Sequence, residues 1–165
     1  MTSPPQTSKL TFIICSRNAD KLDHVVFTAG DKLAITKLGN ATLESIQKAG
    51  MVRFYAPLLV AKHAVKHLNP GPASSITLTT GSVSEKPNKD WTVVASYATA
   101  LHGMIRNLSL DLAPTRVNLI IPGAVMTPLW DRMPAGQIEG FMKIIKEECT
   151  TGGIGKPEDV AESHL

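Results

Sequence analysis

The sequence predicts an α/β layer fold, a parallel sheet flanked by helices. Three observations carry this. Four short apolar, β-branched runs recur along the chain, and stretches with apolar residues at helical spacing lie between them. At 165 residues, 43% hydrophobic and 19% charged, the composition is globular and about the size of one domain.

The polar leader, residues 1–9, is expected to be disordered, and 10–165 to form a single domain. Leu10 to Cys15 (LTFIIC) reads as a buried strand, followed by Ser16-Arg17-Asn18 and a brief helical start from Ala19 to Leu22. Asp23 to Thr28 (DHVVFT) is the second strand, ending on Ala29-Gly30-Asp31. Thr42 opens a helix, with Glu44 close behind, that Gly50 is expected to break. A longer helix follows from about Val52 to Leu68, with Pro57 near its first turns, where a missing N–H does least damage. After the Asn69-Pro70-Gly71-Pro72 turn, Ser75 to Thr80 (SITLTT) is the third strand and Gly81 to Trp91 a polar loop. From Thr92 to Ala113 the residues Val93, Val94, Tyr97, Leu101, Met104, Ile105, Leu108 and Leu112 mark one face of a helix. Arg116 to Ile121 is the fourth strand, running into Pro122-Gly123-Ala124-Val125-Met126-Thr127-Pro128; helices from about Ala135 to Cys149 and from Pro157 complete the pattern.

Several function classes are set aside by composition. Net charge is +3 and spread along the chain, too little for a nucleic-acid partner. No apolar run approaches the ~20 residues of a membrane span, so no membrane partner and a cytoplasmic location are expected. Cys15 and Cys149 lack metal-ligand spacing and read as reduced thiols. His63 and His67 have the spacing of a zinc pair, but Ala64 replaces the glutamate of a metalloprotease helix and no third ligand is evident; no metal is expected.

From Asp23 onward the chain resembles the short-chain dehydrogenase/reductase family. DHVVFTAGD is similar to the strand ending in that family's Asn-Ala-Gly turn, with Thr28 where asparagine is usual. SITLTTGS resembles the strand before the catalytic serine, RNLSLDLAPTRVNLIIPGAVMTP the helix–strand–Pro-Gly segment, and GKPEDVAE the late helix. The resemblance implies a Rossmann-like sheet and an NADP-dependent oxidoreductase of small-molecule metabolism. Relative to that family, the first strand with its glycine loop and the last strand are lacking, which implies a truncated chain.

In family members a serine, a tyrosine and a lysine four residues after the tyrosine carry the chemistry. Anchored on Gly103 and Arg106, the tyrosine position holds Val94, the lysine position Ala98, the serine position Gly81 and the helix-borne asparagine position Arg53. A rival register matches Ser84 and Tyr97 but puts Leu101 at the lysine, and turns Tyr97 about 300° around the helix from the expected face. Reduction of a carbonyl leaves an alkoxide that must be protonated as it forms. A tyrosine of ordinary pKa ~10 needs a cation beside it for that work. Tyr97 has none at helical spacing and reads as a packing residue.

Dinucleotide binding needs glycines after the first strand, where bare backbone approaches a pyrophosphate. No glycine precedes Gly30. The seven residues Ser16 to Leu22 are too few for a parallel crossover of about a dozen, so LTFIIC is expected to be displaced, paired otherwise or poorly ordered. What remains for NADP by resemblance is Ser16, Arg17 and Asn18 after the first run, Arg17 suited to a 2′-phosphate. Val125 and Thr127 occupy positions where family members hold the nicotinamide amide, and Arg53 stands at the helix position.

Arg53-Phe54-Tyr55-Ala56-Pro57 and TTGGIGKPEDVAE also resemble a fungal secondary-metabolism branch that includes reductase-like Diels–Alderases. Those relatives use an aspartate before a helix tryptophan; in PNKDW the matching residue is Asn88, with Asp90 two places on. Arg53 and Asp90 are therefore the candidate catalytic pair, giving electrostatic or acid help to a small-molecule substrate. The alternative is a non-catalytic remnant, or a homo-oligomer paired through long helices.

Overall fold

The structure, a computed structural model, describes residues 12–15, 21–130 and 135–164. The expected leader, Ser16, Arg17 and Asn18 all lie outside the described residues.

Four strands form one sheet in the order β1 (Phe12–Cys15), β2 (His24–Phe27), β3 (Ser75–Thr79) and β4 (Arg116–Ile120). β2, β3 and β4 are parallel, with Val25 opposite Ile76 and Ile76 opposite Val117. β1 instead runs antiparallel to β2, Phe12 opposite Phe27 and Cys15 opposite His24. The short connection explains the direction: it can reverse the chain but cannot carry it back along the sheet. Leu22 is not helical as expected. It is extended and bridges Leu68, its N–H donating to the His67 carbonyl at 2.8 Å.

Gly50 does not break the helix. α1 (Leu43–Gly50) passes through a π-helical stretch, Met51–Tyr55, into α2 (Ala56–Ala64). Thr42 caps α1, its side chain accepting from the Ser45 N–H while Ser45 Oγ accepts from the Thr42 N–H. Pro57 cannot donate to the preceding turn. The chain widens there, with the Ala56 N–H reaching Met51 O. α2 stops at Ala64, so His63 and His67 do not share a helix; both are exposed. Among the described residues no group of three His, Cys, Asp or Glu is placed to hold a metal. None of their helices is long and apolar enough to cross a membrane.

α3 (Thr92–Asp111) is the long helix that the periodicity predicts, and α4 (Ala135–Glu148) and α5 (Pro157–Glu162) follow β4. One sheet face presents Val25, Phe27, Ile76 and Leu78 to Ala61 and Ala64 of α2 and to Leu101 and Leu108 of α3. Ile76 and Leu78 have no exposed surface, and each such side chain contributes about 1.5–3 kcal/mol through burial. The opposite face is more polar, although Val26 and Ile120 share it. His24 Nδ1 and Ser75 Oγ lie 2.9 Å apart, and Asn118 Nδ2 donates to Thr77 Oγ1 at 3.5 Å. Strand alternation assigns the two faces, and the polar one becomes the floor of a cleft.

Candidate functional site

The cleft has a volume of about 1690 Å³ and reaches the C-terminal ends of β2, β3 and β4, where α/β sheets place their ligands. Its walls bring together residues far apart in sequence. Gly81 follows β3, Val94 and Ala98 face in from α3, and Arg53 enters from the π-helical stretch. These are the four positions assigned above to serine, tyrosine, lysine and asparagine, and they converge on one cavity. Thr80 fixes the juncture, its hydroxyl donating to the Ala98 carbonyl at 3.1 Å.

Tyr97 does not line this cleft. Its hydroxyl donates to the Ile46 carbonyl at 3.0 Å, and its ring lies against Gly50 and Phe54. Burial, and secondarily the hydroxyl of Tyr55, raises its pKa above the ordinary 10.0. The shift moves the hydroxyl away from the near-neutral range in which an acid–base catalyst works best. Ser84, its partner in the rival register, also lies outside the cleft lining.

Arg53 is the cleft's distinctive cation. Its Nε lies 3.0 Å from Asp31 Oδ1 and its Nη2 donates to the Asp31 carbonyl. The Nε contact is an ion pair without hydrogen-bond alignment. Burial lowers the guanidinium pKa from its ordinary value, while the charge and hydrogen bonding of Asp31 oppose the shift. A guanidinium remains charged under such opposition. Asp31 was invisible as a partner in the sequence, being 22 positions away on a turn.

Asp90 sits on the loop before α3 with φ of 66°, and its carbonyl accepts from the Thr36 N–H at 3.1 Å. Its loop neighbours Asn88 and Trp91 line the cleft; Asp90 is not among the lining residues. Val125 and Thr127 do line it. Their turn is held by a parallel bridge from Val125 to Gly155 and by Met126 N–H donating to Gly155 O at 2.9 Å. Trp130 closes the turn from below: its Nε1 donates to Val125 O at 2.7 Å and its backbone N–H to Thr127 O at 3.2 Å.

These residues fit NADP only in part. Val125 and Thr127 line the cleft, but the carbonyls of both already accept from Trp130. At the other end, the slot beside β2 holds β1, which starts rather than ends at the ligand-binding edge. A pyrophosphate needs backbone N–H groups after a strand that ends there. The described residues supply no such loop, and no chemical step is assigned through the cofactor.

Residues 10–165 match the family model for an SDR-like Rossmann domain. A short-chain dehydrogenase/reductase of Gibberella fujikuroi, fsr5, is 49% identical over 146 residues, covering 88% of this chain and 55% of that protein. The solved MalC reductase/Diels–Alderase of Malbranchea aurantiaca superposes with a TM-score of 0.79 at 40% identity, covering 87% of this chain and 55% of that one. A small-chain dehydrogenase in complex with NADPH superposes at 0.81 with 30% identity, over 88% of this chain and 65% of that one. The chain spans about half the length of the curated relatives it matches.

Proposed function

The chain belongs to the short-chain dehydrogenase/reductase family, and we propose that its cleft binds a small carbonyl-bearing metabolite against Arg53, without the tyrosine-dependent hydride transfer of that family. The observation that carries this is the convergence of Gly81, Val94, Ala98 and Arg53 on one cleft while Tyr97 points elsewhere. Three of the four converging groups have no proton to give. The fourth is a fixed cation that can polarise or orient an oxygen. In this reading Asp90 is the second polar group, carried by the loop that also brings Asn88 and Trp91 to the cleft. NADPH binds weakly, through Val125 and Thr127, because the described residues hold no glycine cradle for the diphosphate.

Trp91 and Trp130 both line the cleft and report on it. Acetophenone is expected to quench their fluorescence saturably. Ala98→Trp, which fills the wall between α3 and β3, is expected to abolish the saturable component while leaving the circular dichroism spectrum unchanged. Quenching that stays linear in the unsubstituted protein contradicts the reading.

One observation favours a second reading, an interaction protein paired through its helices. Met51, Leu58 and Leu59 are 57%, 40% and 51% exposed, with Tyr55 exposed beside them. Their spacing forms an apolar stripe along the π-helical stretch and α2.

A further inference from the structure

Asp31 holds Arg53 at the edge of the cleft. The guanidinium has three nitrogens. Nε faces Asp31 Oδ1 and Nη2 donates to the Asp31 carbonyl, so one residue grips two of them. Nη1 has no protein partner among the described residues; Nη2 and Nη1 lie 3.6 and 3.9 Å from where a Gly30 Cβ would stand. Gly30 and Arg53 both line the cleft, whereas Asp31 does not. Asp31 thus engages the cation from outside the cleft lining, and Nη1 is the guanidinium nitrogen it leaves without an acceptor.

The electrostatic consequence is specific. Both side chains are mostly buried, at 22% and 24% exposure, and only 3.0 Å apart. At that range the carboxylate cancels most of the guanidinium's field, while leaving its N–H groups as donors. A second anion at Nη1 meets a nearly neutral pair and must shed its own hydration. A neutral carbonyl oxygen sheds much less and gains the same donor.

We propose that Asp31 is a positioning residue that balances the charge of Arg53 and presents its Nη1 edge, so that the cleft selects neutral carbonyl compounds over carboxylates of the same shape. This rests on the ligand-binding reading above and specifies which chemistry it admits.

Benzamide and benzoate are near-isosteric probes that differ in charge. Their affinities are measured by competition against acetophenone, with tryptophan fluorescence as the readout. In the unsubstituted protein benzamide is expected to bind more tightly. Asp31→Asn keeps the shape of the side chain and removes its charge, so benzoate should gain roughly five- to tenfold relative to benzamide. Asp31→Glu should restore the original ratio. Adding Arg53→Gln to Asp31→Asn should erase the gain, which separates Arg53 from Lys86 and Arg116, other cations of the lining. A loss of folding would weaken both probes alike and leave the ratio where it was.

An unchanged ratio in Asp31→Asn, with acetophenone still bound, overturns the inference alone. A gain that persists without Arg53 does the same. Failure of acetophenone to bind the unsubstituted protein overturns the ligand-binding reading, and this inference with it.

Discussion

Gly50→Ala lowers stability by about 1–3 kcal/mol, although an alanine inside an exposed helix ordinarily adds about 1 kcal/mol over glycine. The reason is Tyr97. A Cβ on Gly50 stands 2.6 Å from Tyr97 Cζ and 2.8 Å from its Cε1 and its hydroxyl oxygen. The ring can leave only by giving up the bond to Ile46 O and its place against Phe54, 5.9 Å away between ring centroids. Urea denaturation of Gly50→Ala, Tyr97→Ala and the double variant forms a cycle. With Tyr97 removed, the alanine is expected to become neutral or stabilising. A destabilisation that survives Tyr97→Ala contradicts the packing role. The same seat has a pH signature. Because the folded state raises the Tyr97 pKa, its contribution is complete below 10.0, the ordinary value, and is lost as pH rises through the higher folded one. Tyr97→Phe removes that alkaline loss.

Arg53→Met is expected to act on both stability and binding. It leaves the Asp31 carboxylate beside a thioether with no counter-charge. Breaking a fully buried pair costs about 3–5 kcal/mol, and the partial exposure of this one reduces the expectation to about 1–2 kcal/mol. Asp31→Asn in the same background should recover most of the loss, because the stranded charge is then gone. Acetophenone affinity is expected to fall by roughly tenfold or more, the loss of a hydrogen bond from a charged donor. If stability falls but affinity does not, Arg53 serves the fold rather than the cleft.

The architecture was legible where one periodicity dominated. SITLTT and RVNLII became β3 and β4, and the apolar repeat from Val93 to Leu108 became α3. Legibility failed where a residue's role depended on a distant partner. Gly50 reads as a breaker by propensity, yet its bare Cα is the seat for a ring 47 positions away, which no local rule sees. The π-helical stretch was missed because Pro57 suggests only that the early turns are affected, not how the chain accommodates it. At the site, the register anchored on Gly103 names Arg53, Gly81, Val94 and Ala98, and all four are among the residues lining the cleft. Asp31 was missed because a lone acid after a strand resembles any turn residue. Trp130's bond to Val125 O was equally hidden, since Trp130 was not linked to that turn in sequence.

The central claim is that the cleft keeps Arg53 while Val94 and Ala98 stand at the positions of the family's tyrosine and lysine, and that the described residues give a diphosphate no cradle beside β2. Incubating the chain with NADPH and acetophenone, and following coenzyme absorbance alongside alcohol formation, tests this most directly. The account predicts no turnover above the protein-free control and no submicromolar NADPH affinity. Alcohol formed in step with coenzyme oxidised, over many cycles per chain, would contradict it.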